Sequence, residues 1–217
     1  MRVLVAGSTG MVGGEAACLL AARGDEVRGL VRRTSDESNV AALRASGVTV
    51  VEGDLRDGQS LTAVCRGVDA VVKTVSAMPF SRKEGNTIGD VDRDGTIRLI
   101  DAAKQAGVKR FVHTSFPHEP EPTYRLGEAK VAAERHLARS GMEYTSLAAN
   151  YFQAPPPNPN PRALCTGPRD ASAHCAFGTI SSSQFLFFME KSPRRCILRR
   201  CDGVIPTVRT VLNSGGK

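Results

Sequence analysis

Arg2-Val3-Leu4-Val5-Ala6-Gly7-Ser8-Thr9-Gly10-Met11-Val12-Gly13 stands near the start of the chain, and the order of residue types in it decides the fold. Arg2–Ala6 is a short apolar run with β-branched residues, which reads as a buried strand. Helical spacing follows over residues 11–23, with Val12, Ala16, Leu19 and Leu20 on one face, and Gly24 closes it. Between strand and helix lies G-x-x-G-x-x-G. Glycine there opens backbone angles closed to other residues and lets the main chain approach a ligand. The helix start beyond it aims free N–H groups and a positive dipole end at the same point, which suits a pyrophosphate. In that context the string reads as a dinucleotide-binding loop, with Gly7, Ser8, Thr9, Gly10, Met11, Val12 and Gly13 as its contacts.

Working outward, strand and helix signals alternate with short turns. Strands are expected at residues 26–31, 48–52, 70–73, 109–113 and 144–147, and helices at 36–46, 60–66, 92–106 and 127–140. Gly47, Gly67, Gly107 and Gly141 supply helix stops. Strands separated by helices of this length need crossover connections, hence a parallel sheet covered on both faces. Six strands match the doubly wound order 3-2-1-4-5-6, a three-layer α/β/α Rossmann fold.

The end of the second strand bears on the cofactor. An acid there would bond a ribose 2′-OH and favour NAD. The chain has Arg32 and Arg33 instead, which suit a 2′-phosphate, so NADP (NADPH) is favoured over NAD. Asp54 and Leu55 follow the third strand, where acid and main chain meet an adenine, or where the aspartate simply forms a turn. Val75 and Ser76 follow the fourth strand, beside the nicotinamide half. Thr114 and Ser115 follow the fifth, where the reacting groups of such sheets gather.

Taken together, these features resemble the NmrA-like branch of the atypical short-chain dehydrogenase/reductases. The resemblance rests on Gly7 to Gly13, Arg32-Arg33, Gly53-Asp54-Leu55-Arg56-Asp57 and Ala106-Gly107-Val108-Lys109-Arg110-Phe111-Val112. Lys130 with Ala133-Glu134, and Ser140-Gly141-Met142-Glu143-Tyr144-Thr145, add to it. It covers about residues 1–153. It implies a fold that binds NADP and either reduces a small carbonyl or enone substrate or senses redox state for a regulatory protein partner. It also implies Lys130 as a contact to the ribose or as the acid, with Ser115 as a donor to the substrate. The Tyr-x-x-x-Lys pattern of such enzymes is broken, because Leu126 stands four residues before Lys130. Tyr124 is the nearest tyrosine. Six helical residues turn through about 600°, so it serves as proton donor only if a loop delivers it.

Residues 154–217 break the pattern. They hold eight of the 12 prolines and four of the six cysteines. They also carry nine basic against three acidic residues, while residues 1–153 carry 20 against 19. The chain therefore divides into a Rossmann domain, 1–153, and a Pro/Arg/Cys-rich C-terminal segment, poorly ordered or divergent, whose abrupt onset resembles translation in a shifted reading frame. The nucleotide sequence tests that reading: a family-like continuation in another frame supports it, and its absence sinks it. The balanced charge of the first part and the lack of a helix-turn-helix argue against nucleic acid. Cysteine and histidine spacings match no metal site, and His113, His118, His136 and His174 read as incidental. No apolar run is long enough to span a membrane, and a cytoplasmic location is expected.

Overall fold

A computed structural model describes residues 1–77 and 86–148. Six strands form one sheet in the order β3-β2-β1-β4-β5-β6, every pairing parallel. They are β1 (Arg2–Ala6), β2 (Glu26–Val31), β3 (Thr49–Glu52), β4 (Ala70–Lys73), β5 (Arg110–Ser115) and β6 (Glu143–Ala148). The helices between them are α1 (Met11–Ala22), α2 (Glu37–Ala45), α3 (Gly58–Cys65), α4 (Thr96–Gln105) and α5 (Arg125–Ala138). This is the doubly wound Rossmann architecture expected from the sequence.

The strands alternate their side chains between two cores. Val3, Val5, Val27 and Val31 pack with Ala17 and Leu20 of α1 and with Val40 and Leu43 of α2. Leu4, Val71, Phe111 and Tyr144 pack on the opposite face with Leu61 of α3, Leu99 of α4 and Leu137 of α5. On α1 the buried positions are mostly small: Gly13, Gly14, Ala16, Ala17, Cys18 and Leu20. Val12 and Leu19, expected on the buried face, are only half-buried. The helix lies close to the sheet through its small residues, so they and not the bulkier ones set its orientation.

Local chemistry starts and stops the helices. Asp36 caps α2 by accepting from the Ser38 and Asn39 N–H groups, and Asp57 caps α3 through Gln59 N–H. Gly47 ends α2 in the left-handed region at φ 80°. Most expected boundaries hold within one or two residues. The departure is the helix expected at 92–106. The chain begins to coil earlier, as a π-helical segment over Gly89–Gly95, and becomes α-helical only at Thr96. Such widened turns favour functional sites. Gly95 lets the segment approach the loop after β3, since a Cβ there would sit 2.9 Å from that of Leu55. Residues 154–217, the expected irregular segment, lie outside the described residues.

Candidate functional site

The site lies along the C-terminal ends of the strands. Its first part is the loop from β1 into α1. Gly7 takes φ 97°, and a Cβ on it would fall 2.5 Å from Thr74 Oγ1. A Cβ on Gly13 would fall 2.2 Å from the Gly7 carbonyl oxygen, so only glycine lets α1 start this close to the loop. Gly10 N–H donates to Gly7 C=O at 2.9 Å. Gly10 is the N-cap of α1 and offers no side chain to its first N–H groups, and the first turn holds no acid. That is the donor set a pyrophosphate needs, so this loop fits a dinucleotide. Ser8 is buried and its hydroxyl donates to Leu30 C=O at 3.0 Å, which ties the loop to β2. Thr9 and Val12 are half-buried and Met11 is exposed on the rim.

Arg32 and Arg33 follow β2 and are exposed, as a 2′-phosphate site requires. Arg33 Nε lies 3.0 Å from Glu52 Oε1 at the end of β3, a solvated pair of little strength. Asp54 acts on its own loop. Its Oδ1 accepts from Arg56 N–H at 2.9 Å and Nε at 3.0 Å, and its Oδ2 from Nη2 at 2.7 Å. Those Arg56 bonds come first in holding the Asp54 carboxyl below its ordinary range. Asp54 thus shapes its own turn, and Leu55 is buried beneath the π segment.

The second part of the site is buried and polar. Register places Lys73 of β4, His113 of β5 and Ser146 of β6 in one row across the sheet. By strand alternation from Val71, Phe111 and Tyr144, all three face α4 and α5. Above them Asp92 of the π segment is fully buried. Its Oδ1 lies 2.9 Å from Lys130 Nζ of α5 and accepts from Ser76 Oγ at 2.8 Å, and its Oδ2 accepts from Ala77 N–H at 2.8 Å. Lys130 Nζ also reaches Thr114 C=O at 3.4 Å. Burial pushes the Asp92 carboxyl up, but the Lys130 ammonium and these hydrogen bonds outweigh it and carry the group below its ordinary range. Burial pushes the Lys73 amine well below the usual lysine range and His113 well below the usual histidine range. The hydroxyls of Thr114 and Ser115 are buried without a partner among the described residues. One helical turn beyond Lys130, Glu134 joins Ser146 Oγ at 2.9 Å to His118 Nε2 at 3.1 Å.

Lys130 and Ser115 are therefore brought together at the end of β5, with Ser76 tied to Lys130 through Asp92. Val75 is half-buried beside the glycine loop, since a Cβ on Gly7 would meet its side chain at 3.1 Å. Tyr124 stands apart. It stands at the N-cap position of α5 with no capping bond from its side chain and is 45% exposed. Its ring lies beside Gly127 and 6.0 Å from the Phe116 ring, and among the described residues its hydroxyl makes no bond to Lys130. Sequence reading missed Asp92, Lys73 and His113. The signal for Lys73 was present: a charge ending the apolar run Ala70-Val71-Val72 of a central strand must be buried and so demands a reason.

A model of an NAD(P)H-binding family matches residues 7–173, which carries the likeness past residue 153. An isoflavone reductase homolog from Zea mays is 32% identical over 163 residues, covering 70% of this chain and 48% of that protein. A photosystem II assembly factor from Synechocystis sp. is 33% identical over 148 residues, covering 68% and 44%. The structure of an NADPH-dependent quinone oxidoreductase from Escherichia coli, complexed with NADPH, superposes with a TM-score of 0.56 at 27% identity, covering 70% of this chain and 50% of that one. The chain spans about half the length of these curated relatives. Sheet order, glycine loop and sequence relatives agree, and the chain belongs to the NAD(P)H-binding Rossmann proteins, in the NmrA-like, isoflavone-reductase-related group of atypical short-chain dehydrogenase/reductases.

Proposed function

We propose that the protein is an NADPH-dependent reductase of a small carbonyl, enone or quinone substrate. The observation that carries this reading is the Lys130 ammonium, buried, paired with Asp92 at 2.9 Å and set against the end of β5 beside Ser115. The loop of Gly7, Gly10 and Gly13 with the first turn of α1 holds the pyrophosphate, and Arg32 and Arg33 hold the 2′-phosphate. When bound, the cofactor supplies a hydride. Lys130 donates a hydrogen bond or proton to the substrate oxygen that gains negative charge, and Asp92 keeps its ammonium in place. Ser115 donates a second hydrogen bond from its unpartnered hydroxyl. Lys130 thus replaces the missing tyrosine as proton donor, and Tyr124 contributes through the loop it shares with Phe116.

Fluorescence titration with NADPH and NADH tests the cofactor. NADPH is expected to bind more tightly, and Arg32→Ala with Arg33→Ala to weaken it by about tenfold or more, the loss of charge-assisted hydrogen bonds. Equal binding of the two cofactors overturns the preference. NADPH oxidation with a panel of quinones, enones and azo dyes tests turnover, with Lys130→Met expected to abolish it. A second reading is a redox sensor that binds NADP and signals to a protein partner. It is favoured by the exposed position of Tyr124 and by a relative that is an assembly factor. Tight NADPH binding with no turnover across the panel selects it.

A further inference from the structure

β4 is a central strand, covered on both faces, and it ends in a lysine. Lys73 is fully buried, and no hydrogen-bond partner is assigned to its Nζ among the described residues. The fully buried carboxylate of this cluster, Asp92, is already engaged. Asp92 Oδ1 is taken by Lys130 and Ser76, and Oδ2 by the Ala77 N–H. Among the described residues two lysines therefore share a single buried carboxylate, which balances only one ammonium. Leaving a second ammonium unpaired in this interior is far costlier than giving up its proton. Lys130 makes the ion pair, so Lys73 is the group that gives up its proton. An amine without that proton carries a lone pair, and strand alternation turns Lys73 toward α5, whose Lys130 ammonium is held there by Asp92.

We propose that Lys73 is a positioning residue: it sits in the folded protein as an uncharged amine and accepts a hydrogen bond from the Lys130 ammonium, so that Asp92 and Lys73 together aim Lys130 at the end of β5. The surroundings agree. Burial first, then the charge of Lys130, drives Lys73 well below the usual lysine range, with Asp92 opposing. The titratable groups facing it are Asp92 from the π segment, Lys130 from α5 and His113 from β5, with His118 beyond His113. His113 is itself kept neutral by burial first and then by the charge of Lys130, and it brings no negative charge that would restore a proton to Lys73. The consequence for turnover rests on the reductase reading; the state of Lys73 does not.

The test uses the full chain and two variants, Lys73→Met, which has no acceptor, and Lys73→Gln, whose amide oxygen is one. Denaturant unfolding is followed from pH 7 to pH 10. A lysine that is neutral when folded and protonated when unfolded makes wild-type stability rise with pH up to the unfolded value of about 10.4. Lys73→Met is expected to be more stable than wild type at pH 7, by a margin that shrinks toward pH 10. A margin that does not change with pH means that Lys73 is charged in the fold, and overturns the proposal. Should the methionine variant fail to fold, the glutamine variant carries the same comparison. Side-chain ¹⁵N NMR reads the second half: the slowly exchanging Lys130 ammonium signal persists in wild type and Lys73→Gln and is lost in Lys73→Met. Its persistence in Lys73→Met overturns the positioning role. NADPH oxidation with a quinone is expected to fall about tenfold in Lys73→Met and to recover in Lys73→Gln. Wild type that turns over no quinone but passes the stability and NMR tests fails the reductase reading alone.

Discussion

Lys130 shows how much one residue's surroundings decide. From its spacing alone it is a helix lysine. In the fold it is 3% exposed and pairs with Asp92 at 2.9 Å. Removing one partner of a buried pair leaves the other uncompensated. Asp92→Ala is therefore expected to cost about 3–5 kcal/mol in urea unfolding at pH 7. The Asp92 carboxyl lies below its ordinary range when folded. Its contribution is thus complete above the unfolded value of about 3.9 and disappears as pH falls through the lower folded value. His113 has the same sign of dependence at a higher pH. It stays neutral in the fold and takes a proton on unfolding, so stability falls as pH drops below about 6.5. Unfolding of His113→Phe between pH 5 and 7 is expected to show a shallower loss than wild type. An unchanged slope would show that His113 is protonated in place.

At the scale of elements, close approach and capping carry the argument. α1 can deliver its N–H groups to the glycine loop only because nothing projects from Gly13 toward the Gly7 carbonyl, 2.2 Å from where a Cβ would be. Gly13→Ala must push helix and loop apart. It is expected to lose NADPH binding in titration and to destabilise the fold by about 1–3 kcal/mol. Asp36→Ala removes the cap of α2, which lies far from the buried lysines. It is expected to cost about 1 kcal/mol in denaturant unfolding and to leave NADPH affinity within a factor of two or so. The π segment Gly89–Gly95 is the element that periodicity could not show. Its residues are compatible with an ordinary helix, and the widened turn is seen only against Asp92 turned inward and Gly95 packed on Leu55.

At the scale of the molecule, the parallel sheet collects residues distant in sequence at one edge. Lys73, Asp92, Thr114 and Lys130 meet there because consecutive strands end side by side and each crossover returns in the same sense. Cofactor binding should therefore be felt by the whole fold. A ligand at about 100 times its Kd that binds only the native state adds about 2.7 kcal/mol. NADPH is expected to raise the unfolding midpoint more than NADH at equal concentration, and equal shifts would count against a 2′-phosphate site at Arg32 and Arg33.

The Rossmann fold and its glycine loop were legible in the sequence because they rest on local chemistry. Strand and helix periods, aspartate caps, glycine stops and G-x-x-G-x-x-G each act within a few residues, and their alternation with the glycine loop after β1 matches the order observed. The position of Arg32 and Arg33 just after β2 was legible for the same reason. The buried cluster was not. Whether Lys73 keeps a proton, whether Asp92 faces in or out and whether Lys130 is a surface lysine or half of an ion pair all depend on what burial brings beside them. The tertiary structure alone decided these, because the energy of a charge is set by the dielectric and the partners around it, and both are supplied by segments far apart in the chain.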